Sequence, residues 1–391
     1  MVLSGFGRNI VMESNMKKVL VIFGTRPEAI KMAPVVKVLK ATPGVETRVC
    51  VTAQHRQMLD QVMEIFNLSA DFDLNVMAPN QTLTAVTCKV LKGIEEVFQQ
   101  WLPDLILVQG DTTTVMAAAL AAFYHKIAVG HVEAGLRTGN IYSPWPEEMN
   151  RLLAGNLATL HFAPTERSKD NLLREAKDPQ KIFVTGNTVI DALYEALRII
   201  DDNATLNARL AAQFPFLASD KRLILVTGHR RENFGQGFIN ICKAIARVAQ
   251  RPDVQVVYPM HMNPNVRKPV TEILGHLNNV YLIEPLDYLS FLYMMRKSYL
   301  IMTDSGGVQE EAPSLGKPVI VMRDTTERPE AVDAGTVILA GTEVDAMASA
   351  AERLLDDATF YQQMAHAINP YGDGLAAKRI AEIVTTGKML S

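Results

Sequence analysis

Three sets of carboxylates in the first half of the chain stand where a reaction centre would need them. Asp111 lies in Gly110-Asp111-Thr112-Thr113-Thr114, Glu133 in Glu133-Ala134-Gly135-Leu136-Arg137, and Glu147 beside Glu148 in Pro146-Glu147-Glu148-Met149-Asn150-Arg151. Carboxylates crowded into one cleft raise one another's pKa, which makes them candidates for general acid and base near neutral pH. Each also has a plain structural role open to it: Asp111 as a helix cap, the glutamates as partners of Arg137 and Arg151. Further upstream, Gly24-Thr25-Arg26-Pro27-Glu28 with Lys31 after it reads as an anion holder at a helix N-terminus, or as a capped helix with surface cations.

The second half carries a complementary chemistry. His229, Arg230 and Arg231 follow Thr227-Gly228 and precede the glycine-rich Phe234-Gly235-Gln236-Gly237, a combination suited to phosphate contact beside a moving lid, or to a plain polar surface loop. Ser305-Gly306-Gly307 offers backbone N–H groups at a strand-to-helix junction, where the helix dipole favours a phosphate, and Glu310 or Glu311 one turn later is placed for a ribose diol. Arg328 supplies another cation, and His261 heads a polar turn. Together the second half reads as a nucleoside-diphosphate holder and the first as the place of chemistry. Neither a G-x-G-x-x-G dinucleotide fingerprint nor a Walker A motif occurs anywhere.

These residues gain meaning from the elements that would carry them. Short β-branched runs alternate with helical patterns, the sign of parallel sheets wrapped by helices. The strand candidates are 19–23, 47–52, 105–109, 127–132, 160–163 and 182–185, then 223–227, 254–258, 280–283, 299–302, 319–322 and 336–339. Six followed by six predicts two doubly wound α/β domains, and nearly every residue named above falls just past a strand, where open α/β sheets bind their ligands. The hinge is expected at Gly186-Asn187. A turn-rich Asn369-Pro370-Tyr371-Gly372-Asp373-Gly374 then precedes a helix at Ala376 to Val384 that returns to the first domain. The expected division is 16–186 plus 370–388 against 187–369, with residues 1–15 a disordered extension or tag remnant.

Composition bounds the partners. The 391 residues are 48% apolar and 21% charged, and Lys plus Arg (39) against Asp plus Glu (42) leaves a net charge of −3. That balance argues against nucleic acid or an anionic membrane as partner. The longest apolar run, Val115 to Tyr124, is roughly half of what a membrane-spanning helix needs. Three widely spaced cysteines without a CxxC pair suggest neither a disulfide framework nor a zinc site, so a cytoplasmic protein is expected.

The segments FGTRPEAIKMAP, QHRQML, VQGDTTT, HVEAGLRTGN, PEEMNR, TGHRREN, TDSGGVQEEAPSLGKPV and NPYGDG, in this order from about Met16 to Val384, resemble the bacterial non-hydrolysing UDP-N-acetylglucosamine 2-epimerases. The resemblance implies two Rossmann-like domains facing across a glycosyltransferase-B-like cleft, a homodimer, and interconversion of UDP-GlcNAc and UDP-ManNAc without cofactor or metal. It places Arg26, Lys31, Asp111, Glu133, Glu147 and His229 in or beside catalysis. It also implies that Arg26, Ser305, Gly306, Gly307, Glu311 and Arg328 hold UDP, with Phe291 near uracil. Gln54, Gln57, Arg230 and His261 would form a second, activating UDP-GlcNAc site. The C2 hydrogen of a hexosamine has no neighbouring carbonyl and is not acidic. Without NAD the remaining route expels UDP from C1, removes the C2 proton to give 2-acetamidoglucal, and re-adds UDP and a proton on the other face. A glycosyltransferase with a UDP-sugar donor would use the same nucleotide contacts but needs an acceptor site. A hydrolysing epimerase would release free ManNAc and UDP.

Overall fold

The structure is a computed structural model that describes residues 16–53, 56–78, 81–218 and 220–389, with Arg56 and Gln57 described by their backbone only. The extension at 1–15 lies outside the described residues. Seven parallel strands build the first sheet: β1 (Lys17–Phe23), β2 (Val45–Val51), β3 (Phe72–Asp73), β4 (Leu105–Gln109), β5 (Ala128–Val132), β6 (Leu160–Ala163) and β7 (Ile182–Val184), in the order β3-β2-β1-β4-β5-β6-β7. Six parallel strands build the second: β8 (Arg222–Thr227), β9 (Val254–Pro259), β10 (Val280–Ile283), β11 (Leu300–Thr303), β12 (Val319–Val321) and β13 (Val337–Leu339), in the order β10-β9-β8-β11-β12-β13. Six and six therefore becomes seven and six. The additional β3 is two residues long, held by Cys50↔Phe72 and Val51↔Asp73 pairing alone, and carries no run that a pattern could reveal.

The central strands are apolar on both faces because helices cover both. In β1, Val19 to Phe23 are wholly buried. Each sheet reverses its winding at one place, between β1 and β4 in the first and between β8 and β11 in the second. Those are the switch points where strand-end loops diverge and leave a crevice. Arg26 and Lys31 follow β1, Asp111 follows β4, His229 follows β8 and Ser305 follows β11. The connectivity thus delivers the candidate residues to the two crevices.

Local chemistry starts the helices at these ends. Thr25 caps the helix Arg26–Ala41 in a reciprocal capping box with Glu28, and Pro27 occupies its first turn. Thr112 caps Thr113–Tyr124 through the Val115 amide. Helix Thr188–Asp202, capped by Asn187, packs between the two halves: its buried Ile190 and Leu193 share one apolar core with Val35 and Val36 on one side and Leu292 and Val308 on the other.

The chain crosses between the halves twice, and the crossings touch. Asn187 N–H donates to the Tyr371 carbonyl at 2.7 Å, and a Cβ at Gly186 would stand 3.4 Å from Gly372 Cα. Both glycines hold positive φ, at +89° and +133°. Helix Ala376–Thr386 then packs against Arg26–Ala41. Its N-terminal amides at Ala376 and Ala377 donate to the Asp191 carboxylate at 3.2 and 2.9 Å, and Lys17 Nζ donates to the Val384 carbonyl at 2.6 Å. Burial pushes the Asp191 carboxyl up to about 6 despite those amides. Among the described residues no helix is long and apolar enough to cross a membrane.

Candidate active site

Two adjoining cavities lie between the sheets. One of about 480 Å³ is lined by Arg26, His229, His261, Phe291, Ser305, Gly307 and Glu311 among others. The other, about 230 Å³, is lined by Gln109, Asp111, Glu133 and Arg151. Pro27, Lys31 and Arg328 border both, so a molecule filling the pair would run from the second half's strand ends to the first half's carboxylates past two cations.

At the centre of the smaller cavity Lys31 Nζ donates to both Glu133 oxygens, at 2.8 and 2.6 Å, and lies 3.8 Å from Glu310 Oε2. Gln109 donates to the same Glu133 carboxylate. Glu133 sits at φ +61°, a left-handed conformation rarely taken by a residue with a side chain, and the three contacts hold it there. Asp111 receives Arg151, whose Nε is 3.1 Å from Oδ2, and Arg151 also pairs with Glu148 at 2.8 Å.

The expectation that crowding raises these carboxylates fails for Glu133. Burial alone would raise its pKa, but the cations Lys31, Arg328 and Arg151 outweigh burial and hold it below the usual range. Lys31 is the mirror case: burial works against its charge, yet Glu133 and Glu310 lift it. Glu133 is therefore an anion braced by a lysinium. The raised carboxyls at this site are Glu28, lifted by burial against the hydrogen bonds it accepts from Thr112, Gly24 and Thr25, and Glu311, pushed to about 8 by burial and by neighbouring Glu310.

On the opposite wall a buried carboxylate, Asp304, organises the loop after β8. It accepts the His229 amide at 2.9 Å, the Arg230 amide at 2.8 Å and Asn233 Nδ2 at 3.3 Å, with His229 Nδ1 at 3.6 Å. The His229 ring remains half-exposed toward the cavity and stacks on His261, centroids 5.6 Å apart. Burial, with Arg230 and His261 nearby, lowers its pKa despite Asp304. Glu310 joins the walls: it pairs with Arg328 and accepts from Asn187 Nδ2 at 3.2 Å.

Lys31, Asp111 and Glu133 thus gather in the smaller cavity, and Arg26, Phe291, Ser305, Gly307, Glu311 and His229 line the larger, with Gly306 opening the helix behind them. Glu147 lines neither cavity. It is half-buried at the start of helix Glu147–Leu157, whereas its neighbour Glu148 is buried and accepts the Thr138 and Gly139 amides at 3.0 Å. Arg230 and His261 flank His229; Gln54 lies outside the described residues, and only the backbone of Gln57 is described. Gln109 and Asp304 went unassigned from sequence, Arg151 was expected only as a partner of the glutamates, and Glu310 only as an alternative to Glu311 at a ribose. All four lie within quoted motifs, and each acts through contacts with groups distant in the sequence, which spacing does not reveal.

The neighbouring strands β5 and β6 bring together His131 and His161, both buried. Burial drives their pKa values down to about 4 and about 3. A base whose folded pKa is lowered stabilises the fold above its unfolded pKa and loses that contribution as pH falls. Unfolding stability is accordingly expected to drop between pH 6.5 and 4, by on the order of 3 kcal/mol for His131 alone. Urea titrations across that range check this, and a His161→Phe variant should show a shallower pH slope.

A family model described as UDP-N-acetylglucosamine 2-epimerase matches residues 37–385. The chain is 60% identical over 364 residues to the UDP-N-acetylglucosamine 2-epimerase of Yersinia pestis, spanning 93% of this chain and 97% of that one. It is 58% identical over 373 residues to the enzyme of Escherichia coli strain K12, spanning 95% and 99%. The crystal structure of UDP-GlcNAc 2-epimerase from Neisseria meningitidis bound to UDP-GlcNAc matches with a TM-score of 0.87 at 53% identity, covering 94% of this chain and 99% of that one. The two parallel-sheet domains are those of the expected glycosyltransferase-B-like fold, and the chain belongs to the UDP-N-acetylglucosamine 2-epimerase family.

Proposed function

We propose that this chain interconverts UDP-GlcNAc and UDP-ManNAc without hydrolysis, by eliminating UDP to 2-acetamidoglucal and adding it back. The observation that carries the reading is the continuity of the two cavities through Lys31 and Arg328. A nucleotide sugar with its uracil against Phe291, its ribose at Glu311 and its diphosphate between Arg26, Arg328 and Ser305–Gly307 would put the hexosamine beside Asp111 and Glu133. The relative from Neisseria meningitidis binds UDP-GlcNAc, which supports that substrate here.

Departure of UDP moves negative charge onto the diphosphate, where the two arginines and the backbone N–H groups of Ser305–Gly307 offset it. Positive charge develops at C1 as the bond breaks, and the Glu133 anion stands on that side. Asp111, Glu133 and Glu147 are the groups for proton transfer at C2, with closure about 186–187 and 370–372 bringing Glu147 inward. UDP held in the larger cavity then re-adds at C1, which separates this course from release of free sugar. His229 sits on the nucleotide side, placed to act on the departing diphosphate. The product would supply ManNAc units for surface polysaccharide. Arg230 and His261, with Gln54 and Gln57, are proposed to bind a second UDP-GlcNAc that favours the closed cleft.

One experiment tests both parts: proton NMR of the reaction in D₂O, started from each nucleotide sugar. Deuterium at C2 of both sugars is expected, and a product that keeps its C2 hydrogen would sink the elimination route. A lag from pure UDP-ManNAc, abolished by a trace of UDP-GlcNAc, is expected from the second site. An immediate full rate would remove that site.

A further inference from the structure

The turn that presents Asp111 is held by two buried side chains that line neither cavity. Gly110 lies at φ +81°, a conformation in which glycine is free to rotate its peptides. The amide of Gly110 donates to the Val132 carbonyl at 3.1 Å, which fixes only its upstream side. Downstream, the Gly110 carbonyl is 2.7 Å from His131 Nε2, and the next carbonyl, that of Asp111, accepts from Asn150 Nδ2 at 3.0 Å. His131 is 1% exposed and Asn150 5%.

We propose that His131 and Asn150 are positioning residues for Asp111, clamping two successive carbonyls so that the carboxylate between them keeps one direction. The inference rests on reading Asp111 as a proton-transfer group. A carbonyl only accepts, so the His131 proton sits on Nε2 and leaves Nδ1 bare, and that buried nitrogen has no hydrogen-bond partner in the structure. Burial keeps the ring neutral. The ring therefore supplies one donor in one direction at neutral pH. Asn150 is supplied by the turn of helix that also carries Arg151, the side chain gripping the Asp111 carboxylate. Backbone and side chain of Asp111 are thus fixed from one helix and one strand, β5, which Glu133 directly follows. The clamp also sets the distance between the two carboxylates. Loss of the His131 donor frees the peptide after Gly110 and loss of the Asn150 donor the peptide after Asp111, and displacement of a reacting group by an ångström costs on the order of 10²-fold in rate.

The test compares His131→Phe, His131→Gln and Asn150→Leu with Asp111→Asn, measuring kcat, KM for UDP-GlcNAc and the Kd of UDP. His131→Phe and Asn150→Leu are expected to lower kcat by about tenfold or more, with KM and the UDP Kd held within about twofold. His131→Gln should restore most of the rate, because its Nε2–H reaches the same carbonyl. Adding His131→Phe to Asp111→Asn should cause no further loss. Unchanged kcat in both single variants beside an inactive Asp111→Asn overturns the clamp and leaves the role of Asp111 standing. An active Asp111→Asn overturns the underlying reading instead. Loss of UDP affinity in step with kcat would reduce both residues to structural ones, and if His131→Phe fails to fold, His131→Gln and Asn150→Leu decide the matter.

Discussion

Glu133→Gln is expected to lower kcat by about 10²-fold or more while leaving UDP affinity nearly intact. The carboxylate lines only the smaller cavity, and its hydrogen-bond partners are Lys31 and Gln109. The amide removes one of the two carboxylates placed beside the hexosamine position and cannot accept a proton. It also leaves Lys31 with Glu310 at 3.8 Å as its remaining anionic partner, so the lysinium is expected to lose part of the lift that Glu133 gives it. Steady-state rates and calorimetric UDP titration read the two halves separately. A near-normal rate would remove Glu133 from the catalytic set, and a collapse of UDP binding would place it in the nucleotide site.

Arg328→Ala should have the largest combined effect. The guanidinium donates to Glu310, its Nη1 to the Glu327 carbonyl at 3.2 Å, and it borders both cavities. Without it a diphosphate loses a charge-assisted contact, about 1.5–3 kcal/mol, or ten- to hundredfold in UDP affinity. Glu310 is also left buried with only Lys31 and Asn187, and removing one partner of a buried pair costs about 3 kcal/mol of stability. The double variant Arg328→Ala, Glu310→Gln separates the effects: it should regain stability without regaining affinity. Unchanged UDP affinity in Arg328→Ala would assign the diphosphate to Arg26 and the Ser305–Gly307 backbone.

The sequence carried the architecture because the sheets are buried on both faces. Runs such as Val19–Phe23 and Leu105–Gln109 need no partner to be recognised, and all twelve expected strands appear within a residue or two at most of their ends. Only β3, two residues long and defined by its neighbour, escaped. Placement of residues past strand ends was legible for the same reason. Charge state was not. Carboxylates in adjacent motifs look like a self-repelling cluster until Lys31, Arg151 and Arg328 are seen among them, and Arg328 comes from the other sheet. The adjacent pair Glu147 and Glu148 shows the limit most sharply: a turn of helix buries one against Arg151 and leaves the other toward solvent, which alternation in a motif cannot foretell.

The returning helix at Ala376–Thr386 has a consequence for the order of assembly during synthesis. The seven-stranded sheet is translated first, yet the surface of helix Arg26–Ala41 is covered by residues some 350 positions later, with Lys17 bonded to Val384 across a separation of 367. Loop closure over such a span waits until the far end exists. All six strands of the second sheet, Arg222 to Leu339, leave the ribosome before that. The half made first is therefore finished last. Until Ala376–Thr386 emerges, the face of helix Arg26–Ala41 that it covers stays open, so a truncation just after Pro370 should strand the growing protein at that stage, with the second sheet folded and the first left sticky.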